Sequence, residues 1–221
     1  MSSITSIARA TSPRTAQILF GLVLTLVLGS LPYPVWDDEL ADVAHMLVNE
    51  LIYWSLVAAT LVYVLKIERL PLASIGLCRP RFLDGLAALA IAVATIGGLA
   101  ALYFVVFPAL QINEDQQISK LVSAPPWWLA ISVVRAGASE EILFRGYPIE
   151  RLQELTGSKA VASILPLIAF TLAHVGPWGW SHVVVAAFGG AMLTLLYMWR
   201  RNLWASMVAH CLIDGVAVLA G

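Results

Sequence analysis

The stretch "VVRAGASEEILFRGYPIERL", residues 133–152, sets Glu140, Glu141 and Arg145 directly behind a run of residues fit for a lipid bilayer. A charged side chain in a membrane helix is expensive, and one that stays there faces a partner, a water-filled cavity or a reaction. The rest of the chain decides whether these charges lie in such a helix. Hydrophobic residues make up 60% of the 221 positions and charged residues 12%, far too apolar for an ordinary soluble domain. They also fall in long blocks, the pattern of membrane-spanning helices.

Seven blocks can be read: residues 15–31, 44–65, 82–106, 127 into the quoted stretch, 159–175, 181–199 and 203–220. Most approach the roughly 20 residues that cross the hydrocarbon as a helix. The expected fold is therefore an all-α integral membrane protein, about seven transmembrane helices in one bundle. Residues 1–126 would supply N-terminal helices, and residues 127–221 a helical core holding the intramembrane polar groups. The first block follows Arg9 and Arg14 as a secretory signal would. No small-x-small cleavage site succeeds it, only "PYPVWDDEL", so it is expected to be a retained helix.

Cytoplasmic loops carry an excess of Lys and Arg. With the N-terminus inside, the inner segments hold Arg9, Arg14, Lys66, Arg69, Arg79, Arg81, Arg151, Lys159, Arg200 and Arg201. The outer segments hold only Lys120, together with Asp37, Asp38, Glu39, Glu114 and Asp115. This asymmetry supports both the orientation and the count of seven, and it places residues 66–81 as an inner loop hugging the surface. A formal net charge of −1 gives no basic field for nucleic acid. The only cysteines, Cys78 and Cys211, form neither a disulfide framework nor a CxxC motif.

Polar residues within the blocks gather in the second half: Arg135, Glu140, Glu141, Arg145, His174, His210 and Asp214. "TGS" at 156–158 reads as a turn with Gly157 as the helix stop. Glu140 and His174 lie equally far from Gly157 on its two sides. In an antiparallel hairpin they therefore share a height, roughly 25 Å from the tip. The next hairpin turns at residues 200–202 and carries His210 and Asp214 outward. All four groups share one layer if the first hairpin projects further in.

Glu141 and Arg145 are spaced i,i+4, as are His210 and Asp214, so each pair shares a helix face. The simplest reading of Glu141 and Arg145 is an ion pair bracing the helix. Glu140 points about 100° away from Glu141, without a local counter-ion, and is the sharper candidate for a general base. A lone histidine on a helix is usually a satisfied polar residue. Two that join a glutamate and an aspartate at one depth outweigh that reading. His45 and His182, near outer ends, are assigned no role. Arg135 is expected to pair with Asp214.

The set Glu140, His174, His210 and Asp214 admits two chemistries. Two histidines with one or two carboxylates are ordinary zinc ligands, and zinc would activate a water. Alternatively no metal is needed: Glu140, helped by His174, deprotonates water, and His210 with its neighbour stabilises an oxyanion. No HExxH signature is present.

At these residues the sequence resembles the type II CAAX prenyl endopeptidases, also called CPBP or ABI proteins, an intramembrane peptidase family. Its EExxxR motif matches Glu140, Glu141 and Arg145 in "EEILFR"; its FxxxH motif matches Phe170 and His174 in "FTLAH". The third motif, HxxxN, matches His210 in "HCLID" but finds Asp214 where the family has asparagine. Three motifs in order, each in a separate block, are specific, and the resemblance runs roughly from residue 127 to 221. It implies peptide-bond hydrolysis within the membrane. Glu140 would be the base assisted by His174, with His210 and position 214 forming the oxyanion hole, and Glu141, Arg145 and Phe170 in support. The implied partners are the bilayer and a membrane-associated peptide or protein substrate, prenylated in the founding chemistry, and no nucleic acid. A resident cofactor is not expected, zinc being the one alternative. The short loops favour a prokaryotic inner membrane, with the endoplasmic reticulum left open. A non-catalytic immunity or peptide-binding protein, or a small proton-coupled transporter, is the rival reading.

Overall fold

Where the sequence alternates apolar block and short polar turn, the structure alternates helix and reversal. The structure is a computed structural model and describes residues 13–31, 43–112 and 124–220, apart from the side chains of 43–46 and 220. Arg9, the outer charges Asp37, Asp38, Glu39, Glu114, Asp115 and Lys120, and the His45 side chain lie outside the described residues. Within them every regular element is helical.

The elements are α1 (Pro13–Leu22), α2 (Val43–Val62), α3 (Phe82–Ala101), α4 (Pro126–Glu140), α5 (Tyr147–Thr156), α6 (Lys159–Ala173), α7 (Val183–Arg200) and α8 (Leu203–Ala220). Wide π-helical turns extend α1 through Val23–Val27, α2 through Tyr63–Ile67 and α3 through Leu102–Val106, and one at Glu141–Gly146 joins α4 to α5. Two of these turns have a covalent cause. Pro108 and Pro148 lack the N–H that residues 104 and 144 would have bonded in a regular helix, and the backbone widens there. With α4 and α5 counted as one rod, the described residues form seven long rods. Among the described residues four helices are long and apolar enough to cross a membrane: Leu47–Ile67, Phe82–Ala109, Lys159–Trp178 and Val183–Arg200. Pro13–Val27 and Leu203–Leu219 are apolar but shorter, and the α4–α5 rod carries the charged residues.

Both expected hairpin turns form. Gly157 takes the left-handed conformation at φ 69° that ends α5, and the Ser158 hydroxyl accepts from Val161 N–H to start α6. Arg201 takes φ 51°, and Asn202 Oδ1 accepts from the Trp204 N–H at the start of α8. The expected register of α5 and α6 also holds. Gly157 lies midway between Phe144 and Phe170, whose rings meet edge to face at 5.5 Å. Glu150 of α5 accepts from Arg201 at 2.8 Å and from the Tyr197 hydroxyl at 2.8 Å. The tip of the α5–α6 hairpin therefore extends about 10 Å beyond the α7–α8 turn.

Nearly all the cations assigned to inner segments meet at this one end. Glu68 accepts from Arg151 at 2.7 Å, from the Tyr147 hydroxyl at 3.0 Å, and pairs with Arg14 at 3.1 Å. Asp84 accepts from Arg200 at 2.8 Å and from Asn202 at 3.0 Å. Residues 66–81 do more than lie on the surface. Their 3₁₀ turn Leu72–Ile75 buries Ile75, and Gly76 C=O accepts from Leu203 N–H at 2.8 Å, satisfying an orphan donor of α8. Small residues let α3 and α8 approach closely: Ala87, Ala88, Ala92, Ala205 and Ala209 share one buried cluster, which Leu193 and Leu196 of α7 complete. Large apolar side chains such as Phe20, Leu51, Phe104 and Leu219 point outward, as a lipid-facing surface requires.

Candidate active site

The π-turn after Glu140 fixes the two adjacent glutamates differently. All six residues from Glu141 to Gly146 are buried, and Glu141 and Arg145 are shut off from solvent completely or nearly so. Glu140, the last residue of α4, keeps 17% of its side chain exposed and lies at the rim of the same space. Gly146 closes the turn against α8: a Cβ there would stand 2.6 Å from Leu203 Cδ1 and 2.8 Å from the Ile75 carbonyl oxygen.

Arg145 donates to Glu141 Oε1 at 3.0 Å, the expected brace. Its guanidinium also donates to Gly190 C=O at 3.3 Å and lies 4.0 Å over the Phe170 ring. Glu141 does something the sequence reading did not anticipate. Its Oε1 also accepts from His210 Nδ1 at 2.8 Å, tying the π-turn to α8. A carboxylate already accepting from Arg145 has no proton to offer, so Nδ1 carries the hydrogen and Nε2 is left for chemistry. That Nε2 stands 3.8 Å from Glu140 Oε2 and 3.5 Å from Asp214 Oδ2.

His174 caps α6. Its Nδ1 donates to Phe170 C=O at 2.7 Å, which likewise frees Nε2, and its ring lies 4.4 Å from that of Phe170. It is within electrostatic reach of Glu140 and His210. Glu140, His210 and Asp214 thus meet across α4 and α8, while His174 stands at the end of α6 against Phe170 and His182. Among the described residues no three His, Cys, Asp or Glu side chains are disposed as ligands round a common point.

Two placements differ from expectation. Arg135 pairs with Glu50 of α2, at 3.0 Å, and lies 4.5 Å over the Tyr53 ring, instead of reaching Asp214. The sequence offered no sign of how α2 would pack on α4, so Glu50 went unnoticed. His182, given no role because it ends a block, stacks on His174 with ring centroids 6.2 Å apart and on Trp178 at 5.2 Å. The "HVGPWGWSH" turn folds back over the end of α6, which linear position could not reveal.

Residues 122–216 match the family model described as type II CAAX prenyl endopeptidase Rce1-like. No curated protein and no solved structure matches the chain. Apolar helices together with this match make the chain a multi-pass membrane protein. The matched residues span the π-turn, His174, His210 and Asp214, and over them the chain is similar to the Rce1-like family of type II CAAX prenyl endopeptidases.

Proposed function

We propose that the chain is an intramembrane endopeptidase that hydrolyses a peptide bond of a membrane-associated protein or peptide, of the prenylated CAAX type or another small one. In this reading its seven rods cross a cell membrane with the N-terminus cytoplasmic. Residues 127–221 bring the catalytic side chains and residues 1–126 hold them in place. α5 and the inner ends of α7 and α8 then emerge on the cytoplasmic side, from which the scissile bond is reached.

The observation that carries the reading is the disposition round His210: Nδ1 held by Glu141, Nε2 turned to both Glu140 and Asp214. Glu140, assisted by His174, takes a proton from water, and the hydroxide adds to the carbonyl carbon. His210, as the imidazolium, donates from Nε2 to the oxygen that becomes negative, with position 214 beside it. Glu140 returns the proton to the departing amine as the C–N bond breaks. Glu141 and Arg145 act through His210 by fixing its ring, and Phe170 orients both Arg145 and His174. No metal is needed for these steps; zinc held by Glu140, His174, His210 and Asp214 would require these side chains to draw together, since among the described residues no three of them converge as ligands.

Purified protein in detergent, mixed with a quenched library of membrane peptides, tests this. Wild type is expected to cleave, while Glu140→Ala and His174→Ala are expected to lose turnover without unfolding. Equal turnover by all three would leave a non-catalytic peptide-binding protein or a proton-coupled transporter as the better reading. Metal analysis of the same sample, with activity before and after a chelator, decides the zinc question.

A further inference from the structure

At the inner end, away from the two histidines, Cys78, Arg79, Pro80, Arg81, Asp84, Arg200 and Asn202 line an open cavity of about 480 Å³. That volume suits a small polar headgroup. Three arginines and one carboxylate line it, and the carboxylate is already engaged. Asp84 Oδ2 accepts from Arg81 N–H at 2.7 Å and from Asn202 Nδ2 at 3.0 Å, and its Oδ1 accepts from Arg200. Arg79 and Arg81 are exposed and form no ion pair among the described residues. Two guanidinium groups thus stand at the mouth of the cavity without a close ion pair, Arg81 reaching Asp84 only at longer range.

The surface beneath the cavity is apolar. Phe82 is 80% exposed, and Leu86, Leu89 and Val93 continue the same exposed stripe along α3 at helical spacing. Trp199 and Trp204, both exposed, flank the α7–α8 turn beside Arg200, as aromatic residues do at a membrane interface. A cationic recess above an acyl-sized apolar stripe matches one molecule in both halves.

We propose that this recess binds an anionic glycerophospholipid, its phosphate held by Arg79 and Arg81 and its acyl chains laid along Phe82, Leu86, Leu89 and Val93 of α3. Guanidinium groups form paired hydrogen bonds to phosphate oxygens, and basic recesses between helices at the cytoplasmic face suit anionic headgroups. The lipid would clasp the 66–81 loop, the start of α3 and the α7–α8 turn, the three segments that meet through Asp84. This role is independent of peptide hydrolysis.

The test is thermal unfolding of the full chain in neutral detergent, titrated in parallel with phosphatidylglycerol, phosphatidylcholine of the same chains, and inorganic phosphate. Phosphatidylglycerol is expected to raise Tm saturably by several degrees, and the other two are not. The Arg79→Gln/Arg81→Gln double variant changes two exposed side chains without ion pairs, so its Tm without lipid should match wild type. Its half-saturating phosphatidylglycerol concentration should rise at least tenfold, and Arg79→Lys/Arg81→Lys should restore part of the response. An equal shift with phosphatidylcholine would reduce the effect to general lipid solvation and overturn the proposal. A shift with phosphate alone would overturn the lipid as occupant, and an unchanged response in the Gln variant would overturn the site. A double variant that melts lower without lipid is compared through the Lys pair, where an absent response also overturns it.

Discussion

Glu141 holds His210 by its Nδ1 at 2.8 Å, across 69 residues of chain, and the same carboxylate oxygen receives Arg145 at 3.0 Å. One buried acid thereby sets both the ring orientation and the proton position of the histidine whose Nε2 faces Glu140. Glu141→Gln keeps the shape but replaces the charge with an amide that also presents donors. We predict that kcat falls by about 10²–10⁴-fold, the scale seen when a histidine's orienting carboxylate is made neutral, with KM little changed. The pH profile of kcat should move as well, which a purely structural role would not produce. Unchanged kcat per folded molecule would assign Glu141 to packing alone.

Arg145 is as deeply buried as its partner and stacks over Phe170. Removing one member of a buried ion pair leaves an uncompensated charge, at a cost of roughly 3–5 kcal/mol. Arg145→Met should therefore unfold markedly more easily in a detergent denaturation series. Arg145→Lys should be intermediate, because an ammonium replaces the charge but not the planar fork or the stacking. A Met variant as stable as wild type would remove the brace from the account.

Much of this arrangement was legible because it depends on local rules. Gly157 and the 200–202 turn fixed two hairpins, and equal distance from Gly157 put Glu140 level with His174. The i,i+4 spacing joined Glu141 to Arg145 and His210 to Asp214. What escaped were contacts set by how rods lean on one another. The Glu50–Arg135 pair needs the packing of α2 on α4, and the stacking of His182 on His174 needs the turn after Trp178 to fold back. The second partner of Glu141 was hidden for a related reason. The π-turn that buries Glu141 follows from Pro148, and its rotation of the helix face cannot be read from a regular 100° step.

Gly146 sits where that π-turn meets α8, with no room for a side chain. In Gly146→Ala the new Cβ would meet the Ile75 backbone oxygen at 2.8 Å, and backbone cannot swing aside as Leu203 Cδ1 can. Overpacking of this kind costs about 1–3 kcal/mol. The variant should melt lower, and its residual folded fraction should lose activity because Glu141 shifts relative to His210. A variant with wild-type Tm and kcat would show that the turn tolerates displacement.

Near the tip of the α5–α6 hairpin, Arg14 donates two hydrogen bonds of 2.6 Å to the Glu154 carboxylate, and these hold that carboxyl below the usual glutamate range against a smaller opposing effect of burial. A group with a lowered folded pKa contributes stability that is present above its unfolded pKa and is lost as pH falls through the folded one. Glu154 is 41% exposed, so the contribution is small and screened by salt. Wild type should melt above Glu154→Gln at pH 6 in low salt. The gap should narrow as pH drops below the ordinary glutamate range, and it should shrink at high salt at any pH. A gap that persists in strong acid would mean the residue acts through packing.

Asp214 stands where the family that the chain resembles has asparagine, with Oδ2 3.5 Å from His210 Nε2 and 35% of its side chain exposed. An ionised carboxylate has only acceptors and repels an oxyanion, whereas an amide in the same shape supplies a donor. If position 214 serves the developing charge on the substrate, Asp214→Asn should match or exceed wild-type kcat, with KM and Tm nearly unchanged. If Asp214 instead steadies the His210 imidazolium, the Asn variant should fold normally and lose kcat, and the loss should be insensitive to chelators. A loss that chelator treatment of wild type reproduces, and that added zinc reverses, would make residue 214 a metal ligand. Measuring kcat of the Asn variant against chelated and metal-replete wild type separates the three roles, because each predicts a different pair of results.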